Sequence, residues 1–351
     1  MKRYFFIASI LVFSVFLAGC SLGNSGTPVS APKVGSIWRS ADGGKTWEVK
    51  NQSVGKIAFS DVDVLSIAVS PADPNVVLFG TKANGIIKTE DGGNNLQATN
   101  FTSAKVYGLE ISPADNQVIY ASGIWQGRGK IFKSSDFGEN WEEIYTMPAN
   151  GPLVISLTID KNNSQVIYAS SSDNQIIKTT DGGKTWKNIF ASLSPAFKIA
   201  IDKGNSNLIY FTTVSGAVFR SKNGGETFED ISKPVLEKSG GNRDAAVIAT
   251  DPYNSGWIYV AGGVGILRSK NAGDGWEKIN TLNNPQNFPV KALAINPTNS
   301  KEMIYGAAQT IYRSEDDGVN WATFQFQSAR MAKVLKYSAS DANIVYLGLN
   351  K

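Results

Sequence analysis

The chain of 351 residues has no histidine and a single cysteine, Cys20. Hydrolysis by a serine or cysteine activated by an imidazole therefore falls away, and zinc sites built on His or Cys go with it. One thiol cannot close a disulfide within the chain, so the fold must rest on its apolar core, for which a chain rich in Val, Ile, Leu, Phe and Trp is long enough. No long segment shows helical periodicity. No basic cluster carries interleaved aromatics and the net charge is only +4, which sets nucleic acid aside as a partner. Neither a cofactor nor a metal is expected.

What is abundant is repetition. At intervals of about 45 residues one octet recurs seven times: Ser40–Trp47 (SADGGKTW), Thr89–Leu96 (TEDGGNNL), Ser134–Trp141 (SSDFGENW), Thr179–Trp186 (TTDGGKTW), Ser221–Phe228 (SKNGGETF), Ser269–Trp276 (SKNAGDGW) and Ser314–Trp321 (SEDDGVNW). A hydroxyl in the first place and Asp42, Asp91, Asp136, Asp181, Asn223, Asn271 or Asp316 in the third can bond to backbone N–H groups, while Gly supplies positive φ. The closing aromatic begins the next strand with a large buried area. An apolar pair and a Lys or Arg precede the octets, as in Ile86-Ile87-Lys88 and Val218-Phe219-Arg220. Between octets lies a second phrase, an alternating apolar strand, a polar turn and a strand that usually holds Tyr, as in Leu109–Tyr120 (LEISPADNQVIY). The two phrases together predict blades of four short strands.

The first octet has one strand before it, Gly35–Arg39, and the last phrase, Lys333–Leu349, stops after two strands. The parts balance if the N-terminal and C-terminal pairs build one shared blade. The expectation is an all-β, seven-bladed propeller over residues 34–351, four antiparallel strands to a blade, closed without an open edge.

The octets resemble the Asp-box (BNR) repeat of sialidases, sortilin-type receptors, xyloglucanase-type glycoside hydrolases and propeller-type photosystem II assembly factors. The phrases with Pro71, Pro113, Pro252 and Pro297 are most similar to the sortilin and xyloglucanase branch. In those families the boxes are structural turns away from the ligand face, so the resemblance implies a fold more strongly than a function.

Residues 1–19 read as a lipoprotein signal, with basic Lys2 and Arg3, an apolar Tyr4–Phe16 and Leu17-Ala18-Gly19-Cys20, which resembles a lipobox. Lipidation of Cys20 would anchor the chain to a membrane of a bacterial envelope, on its extracytoplasmic side. Residues 20–33 then form a flexible tether with a reach of about 20 Å.

In a propeller the hairpins from second to third strand and the connections between blades share one face, opposite the octets. On it the sequence places Arg128, Arg243 and Arg330, which either converge on a carboxylate, as the likeness to sialidases would imply, or stay solvated apart. Trp125 either stacks on a partner or packs on a neighbouring loop. Asp61, Asp63 and Asp244, with Glu237 nearby, are the carboxylates for an alternative glycosidase. Xyloglucanase-type enzymes carry an Asp soon after the second strand of a blade, where Thr81-Lys82-Ala83-Asn84-Gly85 has none, and they use two propellers where this chain has one. Both departures point to a non-enzymatic monomer that binds protein or glycan through its loop face.

Overall fold

Apolar alternation broken by polar turns produces twenty-eight strands, β1–β28 in chain order, in a computed structural model that describes residues 35–51, 59, 62–101, 105–326 and 328–351. Cys20, the tether and Asp61 lie outside the described residues. The strands form seven sheets of four. The innermost strands are β3 (Val64–Val69), β7 (Lys105–Ile111), β11 (Val154–Ile159), β15 (Ala196–Ile201), β19 (Val247–Thr250), β23 (Ala292–Ile295) and β27 (Met331–Tyr337). Six blades are simple meanders outward from these strands.

The seventh blade is the shared one. β27 pairs with β28 (Val345–Asn350), which pairs with β1 (Ile37–Ser40), which pairs with β2 (Glu48–Val49). Trp38 lies opposite Leu347 and Arg39 opposite Tyr346, so strands from the two ends of the chain complete one another's ladders. Seven apolar clusters each fill the space between two neighbouring blades. Two of them close the ring: Ile37, Tyr346 and Ile344 pack with Val64 and Phe79 of blade 1, and Trp38, Leu335 and Leu347 pack with Ile304 and Ile311 of blade 6. Each buried Ile or Leu contributes about 1.5–3 kcal/mol. The molecule is a seven-bladed β-propeller, as expected.

In several blades the Tyr of the second strand and the cation before the octet share a purpose that the sequence did not disclose, a reach to the next blade. Tyr259 instead bonds Asp251 of its own blade, and Tyr305 bonds Asn283 of the connection before it. Tyr120, Tyr168 and Tyr210 donate to the carbonyls of Gly182, Gly224 and Ala272, inside the following blade's octet. Lys178 joins Tyr168 at Gly224 O (2.8 Å), Arg220 holds Ala272 O and Asp274, and Arg313 donates to Gly43 O at 2.6 Å across the ring's junction. These octet turns therefore act as receptors for their neighbours. One short helix, α1 (Ser232–Lys238), interrupts the connection from blade 4 to blade 5 and is fixed by buried Val235. With seven residues, about two turns, it is too short for a periodic signal.

Candidate functional site

Each octet is closed on itself. In the first, the Ser40 hydroxyl donates to Asp42 Oδ1 (2.8 Å) and accepts from Gly44 N (2.7 Å), while Thr46 bonds Asp42 through N–H and hydroxyl (2.9 and 2.6 Å). Asp91, Asp136, Asp181 and Asp316 repeat the set. Asn223 and Asn271 keep the Oδ1 contacts, to Thr227 N and Gly275 N, and Asn223 turns its amide into a donor to Thr227 Oγ1. The hydrogen bonds of Asn140, backbone first, bring Asp136 down to about 2. Side-chain and backbone bonds from Thr185 hold Asp181 lower still. These five carboxylates are committed to their own turns and held in the charged form.

The opposite face collects the residues singled out in the sequence, but it brings the three arginines to three separate places, one of them paired with Asp63. Arg128 gives both Nε and Nη2 to the carbonyl of Met147 (3.0 and 2.6 Å), pinning the blade 2–3 connection. Arg330 is 5% exposed and pairs with Asp63 at 3.1 Å. Asp63 Oδ1 also accepts from Lys351 N (3.0 Å), and Lys82 stands 3.7 Å from Oδ2. This carboxylate is part of the junction between blades 7 and 1. Trp125 is the last residue of its strand, half-buried against Phe101 (5.1 Å between centroids) and Phe132 (5.8 Å). Glu237 lies exposed on α1, and among the described residues no three acidic or thiol groups gather as metal ligands.

Arg243 and Asp244 do remain exposed, in a place built by three connections around blade 4. The 213–217 hairpin docks on the connection before it through Val214 N to Pro195 O (2.9 Å) and Ser215 N to Ser194 Oγ (3.2 Å). On the other side, Gly216 with φ +79° lies so close to the carbonyl of Arg243 that any Cβ would overlap it. Asn242 and Asp244 are locked to Gly263, through Asn242 Nδ2 to its carbonyl and its N–H to Asp244 Oδ2, both 2.9 Å. The result is a preformed cavity of about 120 Å³ lined by Phe197, Val214, Arg243 and Asp244. Among the described residues eight large apolar side chains are exposed, and six are on this face: Leu193, Phe197, Val214, Leu282, Phe288 and Met331. Leu193 is fully exposed and Val214 65%. Sequence reading passed over them, although an apolar residue in a turn, such as Val214 where blade 1 has Lys82, was a usable signal.

Comparison with known proteins bears first on the fold. Residues 129–237 match the Sortilin-Vps10 family description, sortilin, neurotensin receptor 3. A xyloglucanase of a Paenibacillus species is 28% identical over 194 residues, 44% of this chain and 19% of that enzyme. Xyloglucanase Xgh74A of Acetivibrio thermocellus is 25% identical over 197 residues, 44% of this chain and 23% of the enzyme. The chain thus spans about a fifth of the length of these relatives. The solved GH74 xyloglucanase of Xanthomonas campestris superposes with a TM-score of 0.67 at 15% identity, over 83% of this chain and 51% of the other. YCF48 in complex with a D1 peptide gives 0.60 at 13%, over 83% and 94%. YCF48 of Cyanidioschyzon merolae gives 0.61 at 13%, over 82% and 96%. These likenesses, with the seven blades, show a propeller fold that resembles the sortilin and xyloglucanase types in sequence and YCF48 in structure.

Proposed function

We propose that this protein is a non-enzymatic binding module, held on the outside of a bacterial membrane through lipidated Cys20, that takes a protein partner on the loop face around blade 4. The observation that carries this reading is the segregation of exposed apolar side chains to one face, with Arg243 and Asp244 beside them. Isolated exposed apolar residues are ordinary, whereas a one-sided set rimmed by charge marks a protein interface. A mixed apolar and charged surface suits a polypeptide better than a glycan, and YCF48, of similar fold, is seen with a peptide. The glycosidase alternative loses Asp63 to its ion pair with Arg330. β1 and β28 run in opposite directions, so Ile37 and Asn350 both lie at the loop end of blade 7, and a tether leading into β1 would turn this face towards the membrane.

The test is site-specific photo-crosslinking of the full-length protein in its own envelope. A crosslinker at Val214 should capture a discrete partner, and one at Val319, equally exposed but in an octet, should not. Adding Arg243→Ala to the Val214 probe should cut the yield several-fold. Equal capture from both faces would overturn the reading. Cys20→Ser should release the protein from the membrane fraction, and retention there would overturn the anchor alone.

A further inference from the structure

The seven innermost strands meet around one axis, yet their charges are very uneven. β3, β11, β19 and β23 contain none, while the other three supply Lys105, Lys198, Lys333 and Lys336 against a single acid, Glu110. At the strand flanks stand two more lysines, Lys161 after β11 and Lys291 before β23, and four aspartates, of which Asp63 is paired with Arg330 and Asp160, Asp202 and Asp251 are taken up by hydrogen bonds of the turns. Glu110 is already engaged by Lys161 at 2.7 Å.

These lysines act across the central channel. Lys333 lies 5.6 Å from the centre of the Phe197 ring, although blades 7 and 4 are not neighbours. Lys198 and Lys336 are exposed despite their place on innermost strands, so the channel admits water. Neither makes a hydrogen bond or ion pair among the described residues. Every inner strand runs from the loop face to the octet face. Lys291, Lys333 and Lys198 therefore stand in the loop half of the channel, and Lys336, Lys161 and Glu110 at the octet end. Lys333 and Lys336, three residues apart, spread the charge over roughly 10 Å along the axis, longer than one phosphate group.

We propose that this channel binds a small, linear, multivalent oxyanion, with the chemistry of a pyrophosphate or triphosphate chain, entering from the loop face past Phe197 and Lys333. Ammonium groups held close together with little compensation are an unfavourable feature of the empty ring, and a chain of oxyanions is the complement that removes it. Protein surrounds Lys198, Lys333 and Lys336 inside the narrow channel even where water reaches them, and this desolvation is the leading cause that pushes all three below the ordinary lysine range. Lys336 falls to about 8, with Lys161 and Lys198 adding repulsion and Glu110 opposing it. A bound anion restores the charged form, so binding above neutrality takes up protons.

The experiment is titration calorimetry on the full-length protein at fixed ionic strength, with phosphate, pyrophosphate and tripolyphosphate as probes. Affinity should rise along that series. Lys336→Met and Lys198→Met should each weaken tripolyphosphate about tenfold or more, while Lys233→Met, the same charge change on exposed α1, leaves it unaltered. The unmodified protein supplies an arm independent of any variant's folding: affinity should fall between about pH 7 and about pH 9, with proton uptake visible in buffers of different ionisation enthalpy. No saturable binding, binding indifferent to both channel substitutions, or capture of an acidic hexapeptide in place of pyrophosphate would overturn the proposal. Because the channel and the blade 4 surface share only Phe197, its failure leaves the crosslinking result at Val214 untouched, and the reverse.

Discussion

The two faces of this ring are made from the same repeat and have diverged by different amounts. On the octet face, seven turns keep one pattern of hydrogen bonds through sequences as different as SADGGKTW and SKNAGDGW. On the loop face no two connections share a sequence, and one of them, between blades 4 and 5, folds a helix. The difference follows from what each turn must satisfy. Several octets accept the Tyr or the cation of the blade before them, as Gly182 does for Tyr120 and Gly43 for Arg313, so a change in one of these turns is felt in two blades. A loop-face connection answers mainly to its own blade and is free to vary, and variation is where recognition can arise.

The most drastic way to test this division is to open the ring. Removing residues 345–351 deletes β28, takes from β27 its partner and from β1 one of its two, and leaves two bare edges. The full chain should melt cooperatively, whereas the truncated one should lose its cooperative transition and aggregate. A sharp transition within a few degrees of the original would mean that six blades suffice and that the shared blade is dispensable.

A single octet should break more gently. The Ser314 hydroxyl, almost wholly buried, donates to Asp316 and accepts from Gly318 N (2.8 and 2.9 Å), so Ser314→Ala leaves buried groups unsatisfied and should cost about 1–2 kcal/mol in urea denaturation. On the other face Val214→Ser, at a residue that projects into solvent, should stay within about 0.5 kcal/mol. Similar losses at both positions would dissolve the contrast between a structural face and a permissive one.

The blades, their number and the shared seventh sheet were legible because the information is periodic, and periodicity survives the loss of single residues such as the missing aromatic at Leu96. The cation before each octet was legible as a pattern without a purpose, since its partner is in another repeat. The loop face was legible only as a place. That Arg330 meets Asp63, 267 residues away, and that Trp125 lies on Phe101 depend on which connections the closed ring brings side by side. Channel lysines pose the same difficulty in another form. Lys198 and Lys336 look like ordinary polar positions of alternating strands until seven such strands are arranged around one axis.

The finest distinction lies within the octets themselves, between those built on Asp and those built on Asn. Asp136 titrates near 2 in the fold against an ordinary 3.8 because its hydrogen bonds favour the charged form, whereas Asn223 and Asn271 hold the same turn with no titratable group. A carboxylate whose value is depressed by folding stabilises the native state fully above its unfolded value, and the contribution is lost as pH falls through the folded one. The loss therefore falls between about pH 4 and pH 2. Asp136→Asn removes that dependence while keeping an Oδ1 for Asn140 N, so the variant should be slightly less stable at neutral pH, by a shift of a few tenths of a molar in urea midpoint. The gap should close as the acid limb is descended, because the wild-type turn then loses what the variant never had. A gap that stays constant from neutrality to pH 2 would place the advantage of Asp over Asn in shape alone, and the octet face would then owe its uniformity to backbone geometry without help from charge.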